Sequence, residues 1–140
     1  MKAKRKYKNF EMLLRIVTAI ILIQTLHFKF SGHPEAVYIF SEIGTEPWGR
    51  IVIGVIELLI GILFFLPKWW KVAAVACSVL MLGAIGVHLF TSVGVVIRYD
   101  GNSDGGQLFA MALIALLFSC ILVVRAFMNG MYRIAFTKRE

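Results

Sequence analysis

Acidic side chains are scarce in this chain. Its 140 residues carry eight Asp and Glu against fifteen Lys and Arg, and charged residues of both signs make up only 16%. With 59% hydrophobic residues and a mean hydropathy of +0.80, a soluble domain of this size is excluded, because it could not bury that much apolar surface. Cysteine is nearly missing too. Cys77 and Cys120 form no CxxC pair and both lie in apolar stretches. They read as small buried hydrophobes, or as neighbours roughly 8–10 Å from one end of their helices at 1.5 Å per residue. There is no Gly-rich phosphate loop, no Ser-His-Asp order and no HExxH, so the common hydrolytic and nucleotide-binding signatures are absent.

What is present is four long apolar runs, at 12–30, 51–66, 72–90 and 108–128, with the second taken as a span over 48–66. The second reaches spanning length only if Pro47 and Trp48 begin its helix, since about 20 residues are needed to cross. The expectation is an all-α membrane protein: one domain, 1–140, built as a four-transmembrane-helix bundle. A Lys-rich start before an apolar run resembles a signal peptide, but HFKFSGHPEA offers no small-x-small cleavage site, so the first span is expected to be retained.

Charge sets the expected orientation. Lys2, Lys4, Arg5, Lys6, Lys8, Arg15, Lys68, Lys71, Arg125, Arg133, Lys138 and Arg139 fall on one side, and Lys29, Arg50 and Arg98 on the other. The positive-inside rule then puts both termini of this multi-pass chain in the cytoplasm. These charges flank spans and do not cluster on a polar fold, so nucleic acid is not an expected partner. The first twelve residues read as a basic surface segment suited to anionic headgroups.

The connections have their own signals. In 31–49, Pro34 can open a short helix with Ala36, Val37, Ile39, Phe40 and Ile43 on its apolar face, Glu35, Ser41 and Glu42 facing away, and Gly44 as a stop. An interfacial helix is expected in this first outer loop. Pro67-Lys68-Trp69-Trp70-Lys71 is a short interface anchor that makes the second and third spans antiparallel neighbours. In 91–107, Asp100-Gly101-Asn102-Ser103-Asp104-Gly105 matches half of a calcium loop, but Met111 stands where a bidentate Glu is needed, so a polar turn is expected. Valines 93, 95 and 96, with Ile97 and Tyr99, are expected in one strand of a surface hairpin.

The chemistry concentrates in the second span. Glu57 is set inside RIVIGVIELLIGILFFL, where a charge costs roughly 3 kcal/mol near a bilayer centre and therefore calls for a partner. Arg50, Gly54, Glu57 and Gly61 share one narrow face, and the two glycines permit close approach of another helix. In the first span Arg15, Thr18, Thr25 and Lys29 share a stripe, with Gln24 and His27 on another face. Arg15 and Lys29 can each be read as snorkelling to opposite surfaces. His88 lies one turn from the end of the third span and can exchange a proton. By depth, Lys29, Arg50, Glu57 and His88 converge on the outer half, with Arg15, Gln24 and His27 as accessory residues. Two readings stay open: a structural ion pair, or a polar pocket that opens outward. No metal site is indicated.

These residues also carry a resemblance. LLRIVTAIILIQTLHFKF, GVIELLIGILFFLP, MLGAIGVHL and PEAVYIFSEIGTEPWGRI, in this order and spacing, resemble the DoxX family of small four-span bacterial membrane proteins. Thr18-Ala19 departs from it where the family often places a glycine. The resemblance implies the four-span fold. It also implies an association with redox complexes, since the family takes its name from a subunit of a thiosulfate:quinone oxidoreductase and other members are linked to superoxide-detoxifying partners. On that basis the chain is expected to be a membrane subunit of a quinone- or sulfur-linked redox complex. It would bind no cofactor by itself, with quinone the ligand the family suggests. The other expectation is a non-catalytic anchor or assembly subunit. Expected partners are the lipid bilayer, other membrane or redox proteins, and further copies in an oligomer.

Overall fold

A computed structural model describes residues 2–137, with side chains for 7–128. Its order is α1 (Lys2–Gln24), α2 (Leu26–Ser31), α3 (Pro34–Glu42), α4 (Trp48–Phe65), α5 (Trp70–Phe90), β1 (Arg98–Tyr99), β2 (Asn102–Ser103) and α6 (Gln107–Thr137). Four segments are long and apolar enough to cross a membrane: Tyr7–Ser31, Trp48–Phe65, Trp70–Phe90 and Gln107–Met128. The basic segment expected at the N-terminus forms the first turns of α1. The side chains of Lys2, Lys4, Arg5, Lys6, Arg133, Lys138 and Arg139 lie outside the described residues.

The spans form a ring. α1 packs on α4 and α6, and α5 packs on the same two, so α1 and α5 stand diagonally opposed. The shared core contains Leu14, Ala19 and Leu22 of α1, Ile60 and Phe64 of α4, Ala73, Cys77 and Met81 of α5, and Ala115 and Leu122 of α6. Small residues set the close contacts. A Cβ at Gly54 would stand 3.1 Å from the Phe30 ring, and one at Gly61 3.1 Å from Ile23 Cγ1, so α1 and α2 seat against α4 only because these positions have no side chain. α5 and α6 are joined by a buried polar contact, Ser78 Oγ to Ser119 Oγ at 2.9 Å. Cys77 is buried beside it, whereas Cys120 is exposed, so only one cysteine is a core residue.

The first span is broken near its end. Thr25 Oγ1 lies 2.9 Å from the Leu22 carbonyl, a back-bond of the kind that bends helices, and the chain restarts as α2. α2 stops at Gly32, whose φ of 70° is the left-handed conformation a side chain resists. Pro34 then opens α3, and His33 Nδ1 accepts the Glu35 amide. Glu35 does not face away as the sequence suggests. It is buried with Ala36 and Phe40, because α3 lies with that flank against α2 and the hairpin.

The hairpin is shorter and later than expected. β1 and β2 pair across a two-residue turn, Asp100-Gly101, both at positive φ, as a tight hairpin turn requires. The valines precede it as irregular chain. Asp104 takes no part in a cation loop. Its carboxylate accepts from the amides of Ile97 (2.8 Å), Gly106 (2.9 Å) and Leu108 (3.2 Å), which fixes the hairpin and the start of α6. α3 and the hairpin thus cover one end of the bundle, called the capped end below.

Candidate functional site

The polar residues of the first span separate by depth. Arg15 is far from the capped end. Its Nε donates to the Phe64 carbonyl at 2.8 Å, at the last turn of α4, and its guanidinium lies 5.5 Å from the Trp70 ring. A cation at a helix C-terminus answers the free carbonyls there, so Arg15 fastens α1 to α4 and is no accessory to the cluster. Gln24 and His27 are both exposed. Gln24 Nε2 donates to Met111 Sδ at 3.2 Å, and His27 stacks edge-on with Phe28.

Lys29 is different. Its Nζ stands 2.9 Å from Glu57 Oε2, and the side chains are 14% and 8% exposed. Lys29 Nζ also donates to Thr25 Oγ1 at 3.2 Å, and Thr25 Oγ1 stands 3.0 Å from the same carboxylate oxygen. The three atoms form a compact cluster in which the single Thr25 hydroxyl hydrogen is shared between Glu57 Oε2 and the Leu22 carbonyl. The break at Thr25 and the absent side chain at Gly54 let α2 bring Lys29 onto α4. Thr25 is the member that sequence reasoning left out, although it sits one helical turn before Lys29 on the same stripe.

Arg50 does not join them. Its guanidinium is held by Glu46, with Nη2–Oε1 at 2.7 Å and Nε–Oε1 at 2.9 Å, and Nη1 donates to the Lys29 carbonyl. The reason is proximity. Glu46 is one turn away at i−4, whereas Glu57 is two turns deeper and already paired. Arg50 therefore acts on the backbone at the end of α2 and not in the pocket.

A cavity of about 450 Å³ lies among the spans toward the capped end. Its polar wall is Thr25, Lys29, Glu57 and His88. The remainder is apolar, with Leu22 and Ile53 among the spans, Met111 and Ala112 of α6, and Ile39 and Phe40 of α3 with Ile43 just after it as a roof. His88 is 7% exposed. Its Nδ1 is 2.6 Å from the Gly94 carbonyl and its ring meets Phe109 edge-on at 5.5 Å. A carbonyl only accepts, so Nδ1 carries a hydrogen and the lone pair of the neutral ring is on Nε2. The structure thus brings Lys29, Glu57 and His88, from three helices, to one cavity, and leaves Arg50, Arg15, Gln24 and His27 out of its lining. Its volume falls in the range of about 300–1,000 Å³ common to small-molecule sites, as does its pattern of apolar walls with a few convergent polar groups.

Comparison with known proteins agrees with this architecture. The sequence model of DoxX matches residues 10–92, which run from within α1 past the end of α5 and include the whole polar wall of the cavity. The chain belongs to the DoxX family. A curated relative in Bacillus subtilis (strain 168), named "Putative oxidoreductase CatD", is 33% identical over 81 residues, 56% of this chain and 60% of its own length. The chain thus spans less than two thirds of that relative. No solved structure matches it. The DoxX match ends two residues after α5, so α6, which supplies the last wall of the cavity, lies beyond it.

Proposed function

We propose that this DoxX protein is a membrane subunit of a redox complex, and that its cavity holds the head of a quinone. The observation behind this is the placement of Lys29–Glu57 and His88 on the walls of one otherwise apolar cavity. An ion pair needs two partners, and His88 has no part in it. The residues fit the group. Lys29, which keeps one N–H beyond those directed at Glu57 and Thr25, offers a donor to a carbonyl oxygen, His88 Nε2 has no protein partner among the described residues, and the apolar walls suit a ring and tail. A bound quinone would supply two-electron, two-proton redox chemistry. This chain's part is to orient the head by hydrogen bonds and to hold or pass a proton at His88 Nε2. The name of the Bacillus subtilis relative is in keeping with a redox role.

The closed bonding of Lys29, Thr25 and Glu57 favours a second reading, in which the cluster is internal glue and the protein anchors partners. One set of variants separates the two: Lys29→Met, Glu57→Leu and the double variant, purified in nanodiscs, scored for thermal stability and for decylubiquinone retained after washing. Site function predicts that the double variant regains stability but loses retention about tenfold or more, equivalent to about 1.4 kcal/mol of binding. A stable double variant that retains decylubiquinone like the wild type would refute the site and leave the anchor reading.

A further inference from the structure

Of the side chains and glycines that line the cavity, only Val79, at 66% exposure, and Gly83 are exposed; the others are buried or half-buried. A residue that both lines a cavity and faces out marks its mouth. Both positions are on α5. Ser78 of that helix bonds Ser119 of α6. At 100° per residue, positions 79 and 83 lie 100° and 140° further round, on the flank turned from α6. Ile53 of α4 lines the cavity opposite them. Over the capped end the way is roofed by Ile39, Phe40 and Ile43, and Ser92 Oγ donates to Glu42 and ties the end of α3 to the chain after α5.

We propose that the cavity opens sideways, between α4 and α5 at Gly83, and takes an uncharged, lipid-soluble ligand with a hydrogen-bonding head directly from the bilayer core. Gly83 is seven residues from the end of α5 at Phe90, about 10 Å at 1.5 Å per residue, so the mouth meets acyl chains and not headgroups. An ionic head cannot reach that depth cheaply, which selects against phospholipids and free anions. A neutral head can pass and find Lys29 and His88, while its tail stays in the mouth among the lipid chains. Gly83 marks open space on this rim: a Cβ there meets nothing within 4 Å, so a larger side chain can be added without displacing the fold. The inference rests on the cavity being a ligand site, but its test needs no ligand.

The test uses the full chain in nanodiscs with Cys77 and Cys120 replaced by alanine and Ala112→Cys as reporter. Ala112 is on α6, buried, and lines the cavity on a different helix from Gly83. Two thiol reagents are compared, each scaled to its rate on detergent-unfolded protein: pyrene-maleimide, which partitions into the bilayer, and the cationic MTSET, which stays in water. Pyrene-maleimide is expected to label about a hundredfold faster than MTSET, because the charged reagent must cross hydrocarbon. Gly83→Trp is expected to slow pyrene-maleimide about tenfold or more by filling the mouth, with Gly83→Ala within about twofold and unchanged melting in both. Val79→Trp, on the same rim, should repeat the block. Labelling by MTSET as fast as by pyrene-maleimide would mean the cavity opens to water. Labelling indifferent to both tryptophans would put the mouth elsewhere. Either result overturns the proposal, and neither depends on whether decylubiquinone binds.

Discussion

Lys29 and Glu57 are each costly alone and tolerable together. Lys29→Met leaves a buried carboxylate with only a hydroxyl beside it, and the loss expected for breaking a buried pair is about 3–5 kcal/mol. Replacing both with Met and Leu should recover most of this, which a double-mutant cycle of thermal unfolding would measure. His88→Phe should leave stability within about 1 kcal/mol, because only the bond to Gly94 is lost, yet it should weaken decylubiquinone retention. At the cap, Glu35 behaves differently. Burial, then repulsion from Asp104, holds its carboxyl above the ordinary value, with His33 and Lys29 opposing. A raised carboxyl favours the protonated form in the folded state, so its contribution is full below the unfolded pKa and is lost as pH rises through the folded one. Glu35→Gln should therefore raise the melting temperature at pH 7 by roughly 2 °C and change it little at pH 4. An equal effect at both pH values would show that folding does not shift this carboxyl, and would overturn the raised value.

At the scale of elements, α2 is positioned by its surroundings more than by its own sequence. Six residues cannot hold a helix alone. It stands because Thr25 breaks the preceding helix, Gly32 ends it in a left-handed turn, and Arg50 clamps the Lys29 carbonyl while Glu46 holds Arg50. Arg50→Met should free the end of α2 and speed amide exchange across residues 32–37, with exchange in the middle of α4 unchanged. If residues 32–37 exchange as before, the clamp is not what holds α2. Gly32→Ala should cost about 1 kcal/mol, since the left-handed conformation is required there, while the Arg50 guanidinium 3.8 Å from the added carbon is only in ordinary contact.

For the whole molecule, four antiparallel spans put α3 and the hairpin at one end and both described chain ends at the other. Ser41 and Ser103, both exposed, should therefore label from the same face when replaced by cysteine. The bias of basic residues predicts that this face is the extracytoplasmic one. An impermeant thiol reagent added to intact cells should react with both; reaction with one alone would break the topology, and reaction with both only after lysis would invert it.

Some of this was written in the chain without any fold. Span number and approximate limits follow from hydropathy and length, because lipid leaves a helix little alternative. A lone carboxylate deep in a span announces a partner, and only Lys29 and Arg50 were near its depth. The choice between them belonged to tertiary structure in part, and in part to a cue in plain view: Glu46 sits four residues before Arg50 and satisfies it locally. Glu35 was misplaced because an amphipathic pattern gives the apolar face of α3 but not what lies along its flank; the hairpin and Asp104 do that, from nearly seventy residues away in sequence. The hairpin itself slipped past the valines because positive φ at Asp100-Gly101, and not β propensity, fixes where the chain reverses. The cavity was beyond sequence altogether. It is a volume left between helices that each satisfy their own pattern, and its mouth depends on which flank of α5 meets α6, a choice made only when the four spans pack.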